Sequence, residues 1–538
     1  MLAASFFAIL LARRGQQLFQ PQVWAEDGTL IVSAFINKGS IALLEPGKKY
    51  FLLAPKLISW LSLSVSFSHF PLVSTLIAWA FTVAVLMAIA RHPSLLKGGV
   101  LLAFAVLFIP TDAEAFGVPL YSLWWAPLLM LVALFWSERA AHLPLRTGLV
   151  ILGGLSSPLI LAAWPLFLMR AWLQRYLRRE WVVAGVATAC CGLQIAAMAL
   201  SRPSPRQPRL ANCLDIDIVP LFFGRYLVGE FTNRPPLLVA ASLAVLAVVG
   251  AGVWHARRIP AVWFLVFLLL GSMVLGVVRV GSLWIHPVYA GPRYFFYPFI
   301  LLSWLLLQIA GDHTGKRWLR GSALALLAVS LINSLPHFGR FHEDLRWRDH
   351  VASSVHFDSY AIPVHLDGAA CRARHFEITG PQATALLARD PFAGRLGGVP
   401  VYPHTVATVD GGSRLDCDRC PRIVGDHRWA AVPPGPDVPV DLAVLRSPDA
   451  ADGSPLTLTL RRGDRLLFRS SPTIPGFEMV VEETGTTFAR SMLPSTAWQT
   501  VVFSNRLLPE TFTLTIRNRV SAPLQWAEIG LPSSRSTP

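Results

Sequence analysis

Charge is scarce in this sequence. Of its 538 residues, 15% are charged and 53% hydrophobic, against about 25% and 45–50% in an ordinary soluble domain. That balance excludes a soluble enzyme. Also missing are a glycine-rich phosphate-cradling loop, a Walker signature and a helical zinc-protease motif, which argues against ATP-driven transport by this chain alone. The 38 glycines and 41 prolines follow no period and 11% of residues are aromatic, which excludes disordered and collagen-like chains. Cysteine is rare, with six in all. Cys190 and Cys191 fall in an apolar run, Cys213 in a loop, and Cys371, Cys417 and Cys420 near the C-terminal end. Cys417-Asp418-Arg419-Cys420 reads as a zinc half-site, a redox pair or a disulfide. With nearby His427 the pair supplies three of the four ligands that tetrahedral zinc wants. On the oxidising side of a membrane a disulfide is the plainer reading, within the pair or from Cys371 to one member.

What charge there is lies unevenly. Residues 1–335 hold 26 Lys and Arg against 11 Asp and Glu, whereas 336–538 hold 21 of each, all the cations there being arginine. The excess of +15 therefore belongs to the apolar part. Arginine clusters between apolar runs follow the positive-inside rule and need no nucleic acid to explain them.

A bilayer core about 30 Å thick requires about 20 apolar helical residues. Segments 70–90, 118–136, 181–200, 237–254, 261–278, 294–310 and 319–335 meet that length; 98–110 is short, and Ser156-Ser157-Pro158 interrupts 147–172. Pro158 lacks an N–H and disfavours helix at Ser157, so two half-length helices are expected to meet at a break facing protein or a wet cavity. Basic loops at 91–97, 139–146, 170–179, 255–258 and 316–320 are expected inside. Consistent threading requires 52–67 to lie at the interface without crossing, giving about eleven spans with the amino terminus inside and the tail outside. Arg13 and Arg14 conflict with this, because they follow the first apolar run on the outer side. That run, 1–12, is too short to span; a start placed too far downstream accounts for it, and without a positive segment before it a signal peptide does not.

The division at Leu335 separates a membrane domain, 1–335, from a mainly β domain, 336–538. In the latter, Leu456-Thr457-Leu458-Thr459-Leu460 and the alternation from Thr511 to Ile516 read as strands, and turn residues about every ten positions predict an antiparallel sandwich of roughly 120–180 residues. Such a domain either binds glycan or caps the membrane part.

Acids in short outer segments are where chemistry is sought. In Trp24-Ala25-Glu26-Asp27-Gly28, two carboxylates beside an aromatic suit a general base at a cavity lip, where partial burial raises a carboxylate pKa. Alternatively Asp27-Gly28 forms a turn that caps a helix at 29–36. Asp112 and Glu114 sit between two spans, with an N-cap or a second carboxylate as readings. Outer Lys48, Lys49, Lys56, Arg225, Arg279 and Arg293 lie where the positive-inside rule expects none. Arg293, in Gly291-Pro292-Arg293-Tyr294-Phe295-Phe296, either grips a phosphate, snorkels to headgroups or pairs with an acid such as Glu230. His286, Tyr289 and Tyr294 fit a polar pocket near it. Trp124, Trp125 and Trp284 form either an interface belt or a sugar-stacking surface.

The Trp24–Gly28 motif, the later Tyr50-Phe51-Leu52-Leu53-Ala54-Pro55-Lys56 and Gly291-Pro292-Arg293-Tyr294-Phe295 together resemble bacterial members of the GT-C superfamily of integral-membrane glycosyltransferases. These use polyprenyl-phosphate-linked sugars on the outer face of the membrane. The resemblance covers 1–335, omits the tail and departs from the family in the short first span. It implies a polytopic helical membrane domain in the bacterial inner membrane, a periplasmic tail, and partners comprising a polyprenyl-phosphate sugar donor, a glycan or lipid-linked acceptor and membrane lipids, with no nucleic acid. It assigns the general base to Asp27, with Glu26 as alternate and Trp24 beside them, and donor-phosphate binding to Arg293, then Lys56, Arg279 and Arg225. Single displacement with one base inverts the anomeric centre. Some members use a divalent metal, whose oxygen ligands here would come from Glu26, Asp27, Asp112 and Glu114. Two other readings stand beside this one: a transporter of lipid-linked glycan, which expects ionisable residues along a path through the spans, and a non-catalytic assembly factor whose tail binds glycan.

Overall fold

The computed structural model describes residues 1–47, 49–137, 142–201, 217–229, 231–280, 285–288, 291–312, 316–340, 345, 347–355, 359–364, 374–396, 404–408, 422–424, 430–432, 442–446, 455–462, 464–470, 477–483, 486–487, 499–502, 508–518 and 527–532. Two compact units result. The first comprises Met1–Pro21, Ser40–Leu61 and Ser74–Phe341; the second comprises Gln22–Gly39, Ser62–Val73 and His342–Pro538. Compared with a division at Leu335, two short early segments fold with the tail.

The helices in chain order are α1 (Leu2–Arg14), α2 (Gln16–Phe19), a π-helical turn (Asp27–Val32), α3 (Ser33–Lys38), α4 (Leu53–Val65), α5 (Phe70–Arg91), α6 (Gly99–Leu107), α7 (Ser122–Leu134), α8 (Leu143–Gly154), α9 (Ile160–Leu173), α10 (Arg178–Leu200), α11 (Arg225–Val228), α12 (Pro235–His255), α13 (Pro260–Val280), α14 (Phe296–Ala310), α15 (Arg317–Ser334), α16 (Trp347–Ser354) and α17 (Gly380–Leu387). Among the described residues, six helical segments are long and apolar enough to cross a membrane: Phe70–Arg91, Arg178–Leu200, Pro235–His255, Pro260–Val278, Pro292–Ala310 and Arg317–His337. They mark a multi-pass membrane protein. The segment expected as a span at 118–136 is the shorter α7, which carries Pro127 within it.

In the first unit, the break at Ser156–Pro158 separates α8 from α9 as its composition predicts, and its backbone groups are satisfied by protein. Leu53 N–H donates to Leu155 O (3.0 Å), and Ala54 N–H donates to Ser156 Oγ (2.9 Å). Gln194, fully buried on α10, donates to Gly154 O (3.0 Å) and accepts from Phe51 N–H (2.9 Å). Leu53 and Ala54 open α4, so donors that no helical carbonyl reaches meet the interrupted end of α8. Gln194→Leu keeps volume and removes both bonds. It is expected to cost about 1–3 kcal/mol for each polar group left unsatisfied, read as a lower unfolding midpoint of the full-length protein in detergent.

Two arginines from the expected inner loops are buried instead of loop-exposed. Arg146 grips Glu180 at 2.6 and 2.8 Å, and Arg170 Nε meets the same carboxylate at 2.9 Å. Both also donate to the end of α7: Arg146 Nε to Ala133 O (2.9 Å), Arg170 to Leu134 O (2.5 Å) and Trp136 O (2.6 Å). Cations at a helix C-terminus satisfy carbonyls that the helix leaves unpaired. Cys190 and Cys191 are free thiols buried in α10.

In the second unit, β1 (Ser359–Val364) and β2 (Arg374–Thr379) pair antiparallel, Ser359 opposite Thr379. The remaining strands are β3 (His404–Thr408), β4 (Arg422–Val424), β5 (Ala430–Val432), β6 (Leu442–Arg446), β7 (Leu456–Arg461), β8 (Arg465–Ser470), β9 (Phe477–Val481), β10 (Thr486–Thr487), β11 (Gln499–Val502), β12 (Thr511–Asn518) and β13 (Ala527–Pro532). They form antiparallel sheets ordered β10-β9-β12-β7-β4 and β3-β11-β8-β13-β6-β5. The alternation in β7 buries Leu456, Leu458 and Leu460 and leaves Arg461 outside.

The core around β1 and β2 gathers Val23, Ala25 and Val32 with Phe67, Phe70, Trp347, Val351, Tyr360, Ile362, Val364, Phe376 and Ile378. Asp390 ties residues 66–68 into the same unit, accepting from Ser66 Oγ (2.9 Å) and Ser68 N–H (2.7 Å). Burial opposes its charged form, but donation from Ser68, Phe392 and Ser66 outweighs this and holds its pKa below the ordinary carboxylate value.

Candidate functional site

The Trp24–Gly28 segment is helical rather than a turn. Trp24 and Ala25 are buried, Gly28 N–H donates to Trp24 O (3.0 Å), and Thr29 Oγ1 donates to Ala25 O (2.7 Å). Asp27 opens the π-helical turn with no capping bond, its preceding residue Glu26 already having helical angles. The capping alternative is thereby corrected. Gly28 is required by close approach: a Cβ there would lie 2.4 Å from Val364 Cγ1 and 3.3 Å from Phe376 Cδ1. Gly28→Ala is expected to cost about 1–3 kcal/mol through overpacking. Gly148→Ala, whose Cβ meets nothing within 4 Å, should cost nothing, both measured as unfolding midpoints. The acidic pair separates by environment, with Glu26 half-buried and Asp27 only 1% exposed. Inserting one carboxylate into a π-helical turn within a buried segment is the kind of local irregularity that recurs at functional sites.

A second group forms in the first unit. Gly291 (φ +66°) and Pro292 open the helical turn that carries Arg293, and a Cβ at Gly291 would strike the Tyr294 ring at 2.8 Å. Arg293 Nη1 donates to Glu114 Oε1 at 2.5 Å and lies 3.2 Å from Tyr121 Oη, while Tyr121 Oη donates to the same carboxylate oxygen. The Arg293 side chain stays 34% exposed, that of Glu114 7%. Asp112 caps the short turn Ala113–Ala115, accepting from Glu114 N–H (2.8 Å), and takes a bond from Arg340. The acid that Arg293 meets is therefore Glu114; Glu230 lies outside the described residues.

Arg13 and Arg14 explain their own anomaly. Both are fully buried. Arg13 donates to Leu107 O, to Ile109 O (3.0 Å) and to Thr111 O (2.6 Å), and its guanidinium lies 3.9 Å from the centre of the Phe116 ring. Arg14 donates to Ala113 O (2.9 Å) and Glu114 O (3.3 Å). They serve the carbonyls of α6 and its following loop and are not loop charges for the positive-inside rule.

Two of the other expected phosphate ligands, Lys56 and Arg225, are drawn into the scaffold. Lys56, 3% exposed, donates to Ala42 O and Glu45 O. Arg225, 8% exposed, donates to Gly229 O (3.0 Å), Thr232 O (3.2 Å) and Asn233 Oδ1 (2.7 Å). His286 accepts at Nδ1 from Val288 N–H (3.2 Å). Tyr294 packs edge-on to Trp124, ring centres 6.3 Å apart. Trp125 is buried and donates to Ala115 O (2.8 Å), so it is neither belt nor stacking surface. Lys48, the Arg279 side chain, Tyr289, Trp284, Cys213, Cys371, Cys417, Cys420 and His427 lie outside the described residues.

Among the described residues no three His, Cys, Asp or Glu side chains gather as metal ligands. Tyr121, Arg340 and the Arg13–Arg14 pair were missed from sequence. The one available signal was the placement of two arginines where the charge rule forbids them. No protein-family model matches the chain, and no curated protein matches it.

Proposed function

We propose that this protein is a GT-C-like membrane glycosyltransferase. It moves a sugar from a polyprenyl-phosphate carrier to an envelope glycan or lipid-linked acceptor on the outer face of a bacterial inner membrane. The observation that carries the reading is the placement of the Trp24–Gly28 segment in the compact unit of the tail, with Asp27 buried beside a glycine whose missing side chain lets the helix close onto β1 and β2. A membrane-proximal acid held by an extramembrane unit suits a base that works outside the bilayer.

Contacts between loops fit a threading of about eleven spans. Each joins segments that this threading puts on one side: 13 with 107–111, 112 with 287 and 114 with 293 outside; 97 with 308, and 134 and 136 with 170, inside. Residues 40–61 leave the second unit and return to it, as an interfacial α4 requires. The two larger sheets support a sandwich tail.

In this reading Asp27 accepts the acceptor hydroxyl proton as that oxygen attacks the anomeric carbon. The sugar–phosphate bond breaks and the carrier phosphate leaves with the electron pair; binding of a carrier phosphate is the role proposed for Arg293. The anomeric configuration inverts. Mass analysis of envelope glycan from a strain lacking this chain tests the proposal: one sugar is expected to disappear and to return with the gene. An unchanged glycan contradicts it.

A further inference from the structure

We infer that Glu114 is a positioning residue: with Tyr121 it sets the direction of the Arg293 guanidinium, on a loop that Arg13, Arg14 and Arg340 hold in place. The inference rests on the reading of Arg293 as a carrier-phosphate ligand and deepens it.

Three features of the first unit carry it. The loop after α6 makes few backbone bonds of its own, and its carbonyls at 107, 109, 111, 113 and 114 are instead taken up by Arg13 and Arg14. Burying two guanidinium groups is expensive, and five carbonyls between 107 and 114 are committed to offsetting that cost, so this loop is held more firmly than a plain connection requires. Glu114 itself is fixed at three points: its N–H on Asp112, its carbonyl on Arg14 and its Oε1 shared by Tyr121 and Arg293. Asp112 is in turn bound by Arg340 and, through its N–H, to Pro287 O (3.0 Å). Arg293 combines a constrained backbone, after Gly291 and Pro292, with a side chain one-third open to solvent. A planar guanidinium whose direction is preset loses less freedom when it binds an anion bidentately. Glu114 thus acts through Arg293 and touches no substrate.

The test is equilibrium binding of labelled undecaprenyl monophosphate to the purified full-length protein in phosphatidylcholine nanodiscs. Arg293→Ala is expected to weaken binding about 100-fold, Glu114→Gln about tenfold and Tyr121→Phe about threefold. The decisive readout is non-additivity. Glu114→Gln combined with Arg293→Ala should bind no more weakly than Arg293→Ala alone, because Glu114 has nothing left to orient. If Glu114→Gln misfolds, Tyr121→Phe with and without Arg293→Ala gives the same cycle. Unchanged or tighter binding by Glu114→Gln, or additive losses, overturns the positioning role and leaves the phosphate role of Arg293 standing. Equal binding by wild type and Arg293→Ala, or competition by phosphatidic acid as strong as by the unlabelled probe, overturns the carrier-phosphate reading, and the positioning role with it.

Discussion

Asp27→Asn is expected to lower the rate of sugar transfer by about 10²–10⁴-fold, the usual contribution of a positioned general base, while the protein folds and inserts normally. Asparagine matches aspartate in shape, and at 1% exposure shape decides whether the π-helical turn keeps its packing. The amide cannot take the acceptor proton. Glu26→Gln, at a half-buried position one residue away, should leave the rate within a few-fold of wild type if Asp27 alone is the base. The pair of variants, assayed on protein of matched expression, separates the two carboxylates. Equal losses would assign the base to neither singly. Normal transfer by Asp27→Asn with loss on removal of 336–538 would favour an assembly factor.

Glu180→Ala is expected to be the most damaging single change to folding. Removing the shared carboxylate leaves Arg146 and Arg170 buried at 3% and 2% exposure, with carbonyls but no counter-charge, and breaking a buried ion pair from one side costs about 3–5 kcal/mol. Marginal proteins rarely tolerate such a loss. Replacing all three residues by apolar ones should not rescue stability fully, since Ala133, Leu134 and Trp136 would then lose the donors that terminate α7. Yield of monodisperse protein in detergent, and its unfolding midpoint, would report both effects; a midpoint unmoved by Glu180→Ala contradicts this account of the triad.

Much of the helical architecture is legible in the sequence because its signal is local. The runs expected at 70–90, 181–200, 237–254 and 261–278 fall within or beside α5, α10, α12 and α13. Pro158 marks the break because a missing donor acts at its own position. Alternation from Leu456 to Leu460 marks β7 for the same reason. The site groups were not legible, because their partners lie far apart along the chain. Arg293 meets Glu114 across 179 positions, and Arg13 meets Thr111 across 98, and no periodicity reports such a pairing. Gly28 looked like a turn residue because glycine serves both turns and close approaches, and only the position of Val364 decides between them. Lys56 and Arg225 looked like anion ligands because sequence gives a cation's type but not the carbonyls it meets.

Asp27 is expected to work in the outer compartment, in the unit it shares with the tail. Labelling by a membrane-impermeant maleimide tests this most directly. Single cysteines would be placed by Lys38→Cys and Arg178→Cys, both exposed positions, in an otherwise cysteine-free chain. Lys38 closes the helix that begins beside Asp27, and Arg178 opens α10 on the expected inner side. Labelling of the Lys38→Cys protein is expected in cells with an intact inner membrane, and labelling of the Arg178→Cys protein only after that membrane is permeabilised. The opposite pattern would put the Asp27 carboxylate in the cytoplasm, away from any outer-leaflet donor, and would rule it out as the base.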